Sequence, residues 1–149
     1  MQTIPIKSVI LSAVIVWVLG VIAFIASYFV PVMPDPDVQA NWVLSVAIIP
    51  FATLGAHIYY RKGHQTNGFL LGVVMFLVAM VLDAIITVPV LVIPNGGSYL
   101  SFFTDAGFWL IAVTYVSVVA AYWQIEKAIK RVQLRKANAK SHLQGRTPG

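Results

Sequence analysis

Four long apolar runs alternate with short polar connections along the chain. The runs cover about residues 8–30, 42–60, 68–93 and 105–123. Each is close to or above the roughly 20 apolar residues that a helix needs to cross a bilayer. The pattern predicts an all-α fold: an integral membrane antiparallel four-helix bundle that forms a single membrane domain over residues 1–149. Short connections favour antiparallel neighbours, but the order of the helices around the bundle stays open.

Prolines and capping residues set the predicted boundaries. The connection at residues 31–40 holds three prolines and reads as an extended turn, with Asn41 as the N-cap of the second span. Thr104 or Asp105 is expected to cap the fourth span. Pro50 and Pro89 lie inside the second and third spans. Each removes a backbone donor, so we expect kinks or hinges there.

Composition places the protein in the membrane class. Hydrophobic residues make up 59% of the chain and charged residues 10%, which is too few for the surface of a soluble domain of 149 residues. The chain has no cysteine, so disulfides and thiolate chemistry are excluded. No cofactor is expected.

The basic residues are distributed unevenly. Seven of the ten Lys and Arg residues follow Glu126, and the others are Lys7, Arg61 and Lys62. Alternating spans place all ten on one side, which predicts that both termini are cytoplasmic. The tail at 124–149 is predicted to be a basic amphipathic helical extension at anionic lipid headgroups, with residues 141–149 unstructured, rather than a nucleic-acid site.

Asp83 is the principal candidate for a functional residue, because it lies well inside the third span. An ionised carboxylate there costs several kcal/mol, so we expect it to face the bundle. Thr87 lies one turn further on, and Tyr115 of the fourth span has a matching depth, so both are predicted hydrogen-bond partners. Two interpretations are about equally favoured: a proton or substrate site in a transport path, and a hydrogen bond that joins helices.

The remaining polar residues give weaker signals. His57, near one end of the second span, is a weaker candidate for proton transfer. The interpretation as an interfacial polar residue without a chemical role is favoured. Neither a metal site nor a catalytic site is predicted, because no ligand spacing or catalytic motif accompanies these residues. We therefore do not expect an enzyme.

The stretch from residue 68 to residue 123 resembles a family of small four-helix bacterial inner-membrane proteins of unknown function. The likeness is carried by Leu82-Asp83, Thr87-Val88-Pro89, the turn from Pro94 to Tyr99, Phe102-Phe103 and Phe108-Trp109. The resemblance implies four helices and the bacterial inner membrane, and no activity.

Two functions follow as expectations. The first is a non-enzymatic structural or accessory membrane component that forms a homo-oligomer or binds a membrane partner. The alternative is a small proton-coupled transporter or carrier that uses Asp83. The carrier needs a cavity that reaches this carboxylate, whereas the accessory component needs an exposed packing surface, such as a stripe of small residues on the first helix.

Overall fold

The computed structural model describes residues 3–146. The ends of the predicted domain and tail, residues 1–2 and 147–149, lie outside the described residues. The described chain is helical, and four of its helical stretches are long and apolar enough to cross a membrane. Its elements are α1 (Ile6–Tyr28), α2 (Pro36–Tyr60), α3 (Gly68–Leu82), a π-helical segment (Asp83–Val92), a 3₁₀ turn (Ile93–Asn95), α4 (Tyr99–Thr104) and α5 (Ala106–Gln144).

The second span begins six residues before the predicted start at residue 42. Asp35 is its N-cap, and one carboxylate oxygen accepts the backbone N–H groups of Asp37 and Val38. Pro36 occupies the first helical position, where the missing N–H costs nothing. The predicted extended turn therefore ends at Asp35 instead of residue 40, and the predicted cap at Asn41 is wrong, because an Asp-Pro pair starts the helix here.

The Gln39 side chain holds the connection between α1 and α2. Its Nε2 donates to the carbonyls of Ser27 and Val30 at 2.7 and 2.8 Å. Its Oε1 accepts the backbone N–H groups of Val32 and Met33 at 2.7 and 2.8 Å. The carboxamide is buried, and it satisfies four backbone groups that the end of α1 leaves without helical partners.

The four long helices form a ring. Extensive contacts join α1 to α2, α2 to α5, α5 to α3 and α3 to α1. Gly20 approaches Leu44 and Gly55 approaches Val16, so residue numbers rise along α1 as they fall along α2. Although α2 and α3 are joined by a short connection, they lie diagonally across the ring, contrary to the expectation that short connections make neighbours.

The packed core occupies one half of the bundle. Its fully buried side chains include Val9, Val16, Tyr59, Leu71 and Met75. These residues come from the first half of α1, the second half of α2 and the first half of α3. They therefore lie at the end of the bundle near residues 61–67, which we call the basic end. The opposite end, near Asp37 and Asp105, is called the acidic end.

Small residues permit close approach in the packed half. A Cβ on Gly55 would overlap the side chain of Val16, and a Cβ on Gly68 would overlap the Cβ of Trp123. On α1, Gly20 is buried against α2. Ser27 is buried as well, so these two small residues of α1 do not form an exposed packing surface.

The last helix is much longer than its membrane span. Asp105 caps it as predicted, with its carboxylate accepting the N–H of Phe108. Its 39 residues correspond to about 58 Å at helical rise, twice the hydrocarbon thickness. The predicted helical extension is present and continues to Gln144, so the expectation that residues 141–149 are unstructured is wrong as far as residue 144.

Candidate functional site: a carboxylate in an interhelical cavity

Asp83 joins two helices through one of its oxygens. It stands where α3 changes from α-helix to the π-helical segment. Its Oδ1 accepts the indole N–H of Trp17 on α1 at 2.9 Å and the hydroxyl of Thr87 at 2.7 Å. The contact with Thr87 was predicted, and the contact with Trp17 was not. Among the described residues, Oδ2 receives no hydrogen bond, and the side chain is only partly buried.

The predicted hydrogen bond from Tyr115 to Asp83 is wrong. Tyr115 is 2% exposed, and its hydroxyl has no hydrogen-bond partner among the described residues. Its ring lies edge-on to Phe76, with centroids 6.2 Å apart. Depth along the membrane suggested this pairing, but depth does not decide which helix supplies the partner. α1 supplies it, because α1 is the other neighbour of α3 in the ring.

The π-helical segment accommodates Pro89. In a π-helix each N–H bonds the carbonyl five residues earlier, so the missing donor of Pro89 frees the carbonyl of Ala84. The Tyr99 hydroxyl donates to that carbonyl at 3.0 Å. The freed carbonyl therefore has a donor, and the hinge at Pro89 stays a prediction. Pro89 and Pro50 are both exposed on the outside of the bundle, and α2 continues as a helix through Pro50.

A cavity of about 760 Å³ extends from Phe76 past Asp83 toward the acidic end. Asp83, Thr87 and Tyr115 all line it, so the structure brings the three predicted residues to one space. Along α1 the lining runs from Val16 to Phe29, about 20 Å at helical rise. The volume lies within the usual range of small-molecule sites. The predicted bundle thus has a solid half and a hollow half.

Two further carboxylates stand at the mouth of this cavity. Asp37 accepts the hydroxyl of Tyr28 at 2.7 Å, and Asp105 accepts the side-chain amide of Asn41 at 3.0 Å. All four residues line the cavity, and both aspartates are exposed. None of the lining side chains within residues 3–146 is Lys, Arg or His. The cavity therefore holds three acidic groups without a basic counterpart.

His57 lies at the other end of the bundle. Its Nδ1 is 2.8 Å from the hydroxyl of Tyr122, and the two rings pack edge to face. Nearby, the hydroxyls of Tyr59 and Tyr60 bond the side chain and the carbonyl of Thr66 at 2.6 and 2.8 Å. His57 therefore belongs to an aromatic and polar cluster at the basic end, and the structure does not bring it to Asp83.

The described part of the chain offers no cluster of three or more His, Asp or Glu side chains that can hold a metal ion. The three cavity aspartates are spread along its length instead. Such an arrangement can accept hydrogen bonds and balance positive charge at several depths. It does not form a coordination shell.

Sequence comparison places residues 34–125 in a known family model. The chain belongs to DUF5367, a family of unknown function. This confirms the predicted resemblance to a family of unknown function. The DUF5367 match contains Asp83, Thr87, Tyr115 and both mouth aspartates, and it does not include Trp17. Comparison with curated proteins finds no match. Comparison with solved structures finds none either.

Sequence reasoning missed Trp17, Tyr99 and Gln39. One signal was available for Trp17: it lies near the middle of its helix, whereas membrane tryptophans favour the two interfaces. A buried indole N–H usually has a partner, so its depth points to an acceptor on a neighbouring helix. Nothing in the pattern around Tyr99 indicates its long-range bond.

Proposed function

We propose that this protein is a non-enzymatic multi-pass component of the bacterial inner membrane with a structural or accessory role. The supporting observation is how its interior polar groups are used. Gln39 holds the connection between α1 and α2, the Trp17–Asp83 bond joins α1 to α3, and Thr66 secures the turn before α3. Hydrogen bonds of this kind hold membrane helices together.

The proposed orientation places both termini in the cytoplasm, with successive spans of an antiparallel bundle alternating in direction. All ten Lys and Arg residues then lie on the cytoplasmic side, as the positive-inside rule favours. The carboxylates of Asp37 and Asp105 lie on the opposite side. The extension that follows residue 123 is exposed and basic, and it is proposed to contact anionic headgroups where it leaves the bilayer.

The absence of native cysteine makes the orientation directly testable. Val32→Cys places a thiol in the exposed connection after α1, and Ala137→Cys places one on the exposed extension. Intact cells are treated with a membrane-impermeant maleimide that can cross the outer membrane. We expect labelling of Val32→Cys in intact cells and of Ala137→Cys only after the inner membrane is opened. The reverse pattern would contradict the proposed orientation.

The accessory role requires association, and the oligomeric state tests it. Large apolar side chains remain exposed on all four spans, and they face lipid or another protein. The Ala137→Cys variant, labelled with one fluorophore and reconstituted at low density, is counted by photobleaching steps. Two or more steps support self-association. A single step, together with no specific partner recovered by cross-linking in native membranes, would count against the accessory role.

A specific observation favours a second candidate, the proton-coupled carrier. The cavity reaches Asp83, and a carrier needs such access to its protonatable group. The test is proton flux into liposomes that contain the parent protein or Asp83→Asn. Flux that depends on Asp83 would support the carrier, and identical background flux in both preparations would remove its basis.

A further inference from the structure

We propose that the cavity between Asp83 and the acidic end is a binding site for a hydrophobic organic cation, a molecule with an aromatic or alkyl body and one positive charge. The inference goes beyond the structural or accessory role proposed above, because it names a ligand. It rests on the shape of the cavity, its charge, its aromatic lining and one unpartnered hydroxyl.

The charge of the lining selects a cation. Asp83 lies on the wall of the cavity within the third span, and Asp37 and Asp105 lie at its mouth. The hydrogen-bond donors to these carboxylates are neutral indole, hydroxyl and amide groups. The salt bridge recorded in the described chain joins Lys130 to Glu126, outside the cavity. A cation that enters meets acidic groups along its path and no basic side chain of the lining.

Asp83 retains capacity for a ligand. Both of its hydrogen bonds end on Oδ1, so Oδ2 has no protein donor among residues 3–146, and the side chain lines the cavity. An ion pair in a low-dielectric site offsets the desolvation of its two charges only when both charges are held in a good geometry. The Trp17 and Thr87 donors hold this carboxylate in one orientation, which prepares it for a cation.

The aromatic lining suits the body of such a ligand. Eight aromatic side chains line the cavity, among them Trp17, Phe24, Phe76 and Phe108. Aromatic faces attract organic cations and also pack against apolar groups. Ligand sites are commonly apolar clefts with a few placed polar groups, and this cavity has that composition.

Tyr115 gives an independent indication that a polar group is expected in the cavity. Its side chain lines the cavity and is 98% buried, yet its hydroxyl has no partner among the described residues. A buried polar group without a hydrogen bond is costly, and native proteins seldom leave one. A cation that carries an N–H group, or a water in the cavity, can supply that partner. An apolar acyl chain cannot.

The test compares two probes of almost the same shape and opposite charge, tetraphenylphosphonium and tetraphenylborate. Binding of each to the purified parent protein in detergent is measured by equilibrium dialysis. We expect saturable binding of the phosphonium and at least tenfold weaker binding of the borate. Equal binding of both ions would show a merely apolar cavity and would overturn the proposal, as would failure of the phosphonium to saturate.

Two variants locate the site. Asp83→Asn keeps the size of the side chain and removes its charge, so we expect at least a tenfold loss of phosphonium affinity. Glu126→Gln removes one negative charge outside the cavity, and its affinity should stay within twofold of the parent. Unchanged affinity in Asp83→Asn would overturn the assignment. If Asp83→Asn does not fold, Asp83→Glu is measured instead: it keeps the charge and should still prefer the phosphonium over the borate.

Discussion

The hydrogen bond between Trp17 and Asp83 can be isolated by a double-mutant cycle. Trp17→Phe keeps an aromatic ring and removes the indole N–H, and Asp83→Leu removes the acceptor while roughly conserving volume. Each single change also alters packing and desolvation. The cycle cancels those separate effects and leaves the coupling between the two side chains.

The expected coupling follows from the geometry of the contact. One direct bond of 2.9 Å joins the two side chains, and the contact is partly buried at mid-span depth. Hydrogen bonds between membrane helices average about 0.6 kcal/mol and reach about 1.7 kcal/mol in measured cycles. Because the bond has a favourable length, we place its coupling in the upper half of this range, at roughly 1 kcal/mol. That energy corresponds to about a fivefold change in the unfolding equilibrium constant.

The assay is unfolding of the purified protein in mixed micelles with increasing SDS, followed by far-ultraviolet circular dichroism. This signal does not depend on the tryptophan that is removed. The parent, the two single variants and the double variant are measured under one set of conditions. Free energies of unfolding from the four curves give the coupling.

A second double-mutant cycle serves as the control. Tyr115→Phe with Asp83→Leu tests the partner that depth alone favoured. Because the Tyr115 hydroxyl makes no bond to Asp83, this coupling should be near zero. Independent sites deviate from additivity by about 0.3 kcal/mol. If the coupling energy from the Trp17 cycle is smaller than that, the assigned contact is wrong. A larger coupling in the Tyr115 cycle would restore the depth-matched pairing.

Three further substitutions test the surrounding structure in the same unfolding assay. Gln39→Leu should lower the free energy of unfolding by about 2–4 kcal/mol, because four hydrogen bonds are lost at about 0.5–1.5 kcal/mol each and some of the freed groups are rehydrated. The control Gln124→Leu, at an exposed site, should change the free energy of unfolding little. Tyr99→Phe should cost about 1 kcal/mol, with faster amide hydrogen exchange in the π-helical segment once the carbonyl of Ala84 loses its donor. Gly68→Leu should cost about 1–3 kcal/mol or more, because the new side chain overlaps α5; an unchanged transition would contradict the close approach.

The sequence pattern was sufficient for features that belong to one helix at a time. The four spans, the Asp105 cap and the contact between Asp83 and Thr87 depend on residues close together in the chain. The pattern gave a wrong start for the second span, where two local rules compete. A run of prolines favours an extended connection, yet Asp35 and Pro36 together start α2.

Features that depend on helix order could not be read from the pattern. Hydrophobicity gives the depth of Asp83 and not its lateral neighbour, so it favoured Tyr115 by depth and gave no indication of Trp17. The π-helical segment is similarly hidden. Pro89 indicates from the sequence that one backbone donor is missing. Whether the helix kinks or forms a wider turn there depends on whether the Tyr99 hydroxyl reaches the freed carbonyl.

The packing of the helices differs between the two halves of the bundle. Near the basic end, Gly55 lets α2 approach the Val16 and Met75 side chains, and Gly68 lets α3 approach α5. Toward the acidic end the helices carry large aromatic side chains, and α3 widens into the π-helical segment from Asp83 onward. The carboxylate therefore stands at the boundary between the two packings. It is fixed by the packed half through Trp17, and it is open to whatever enters the other half.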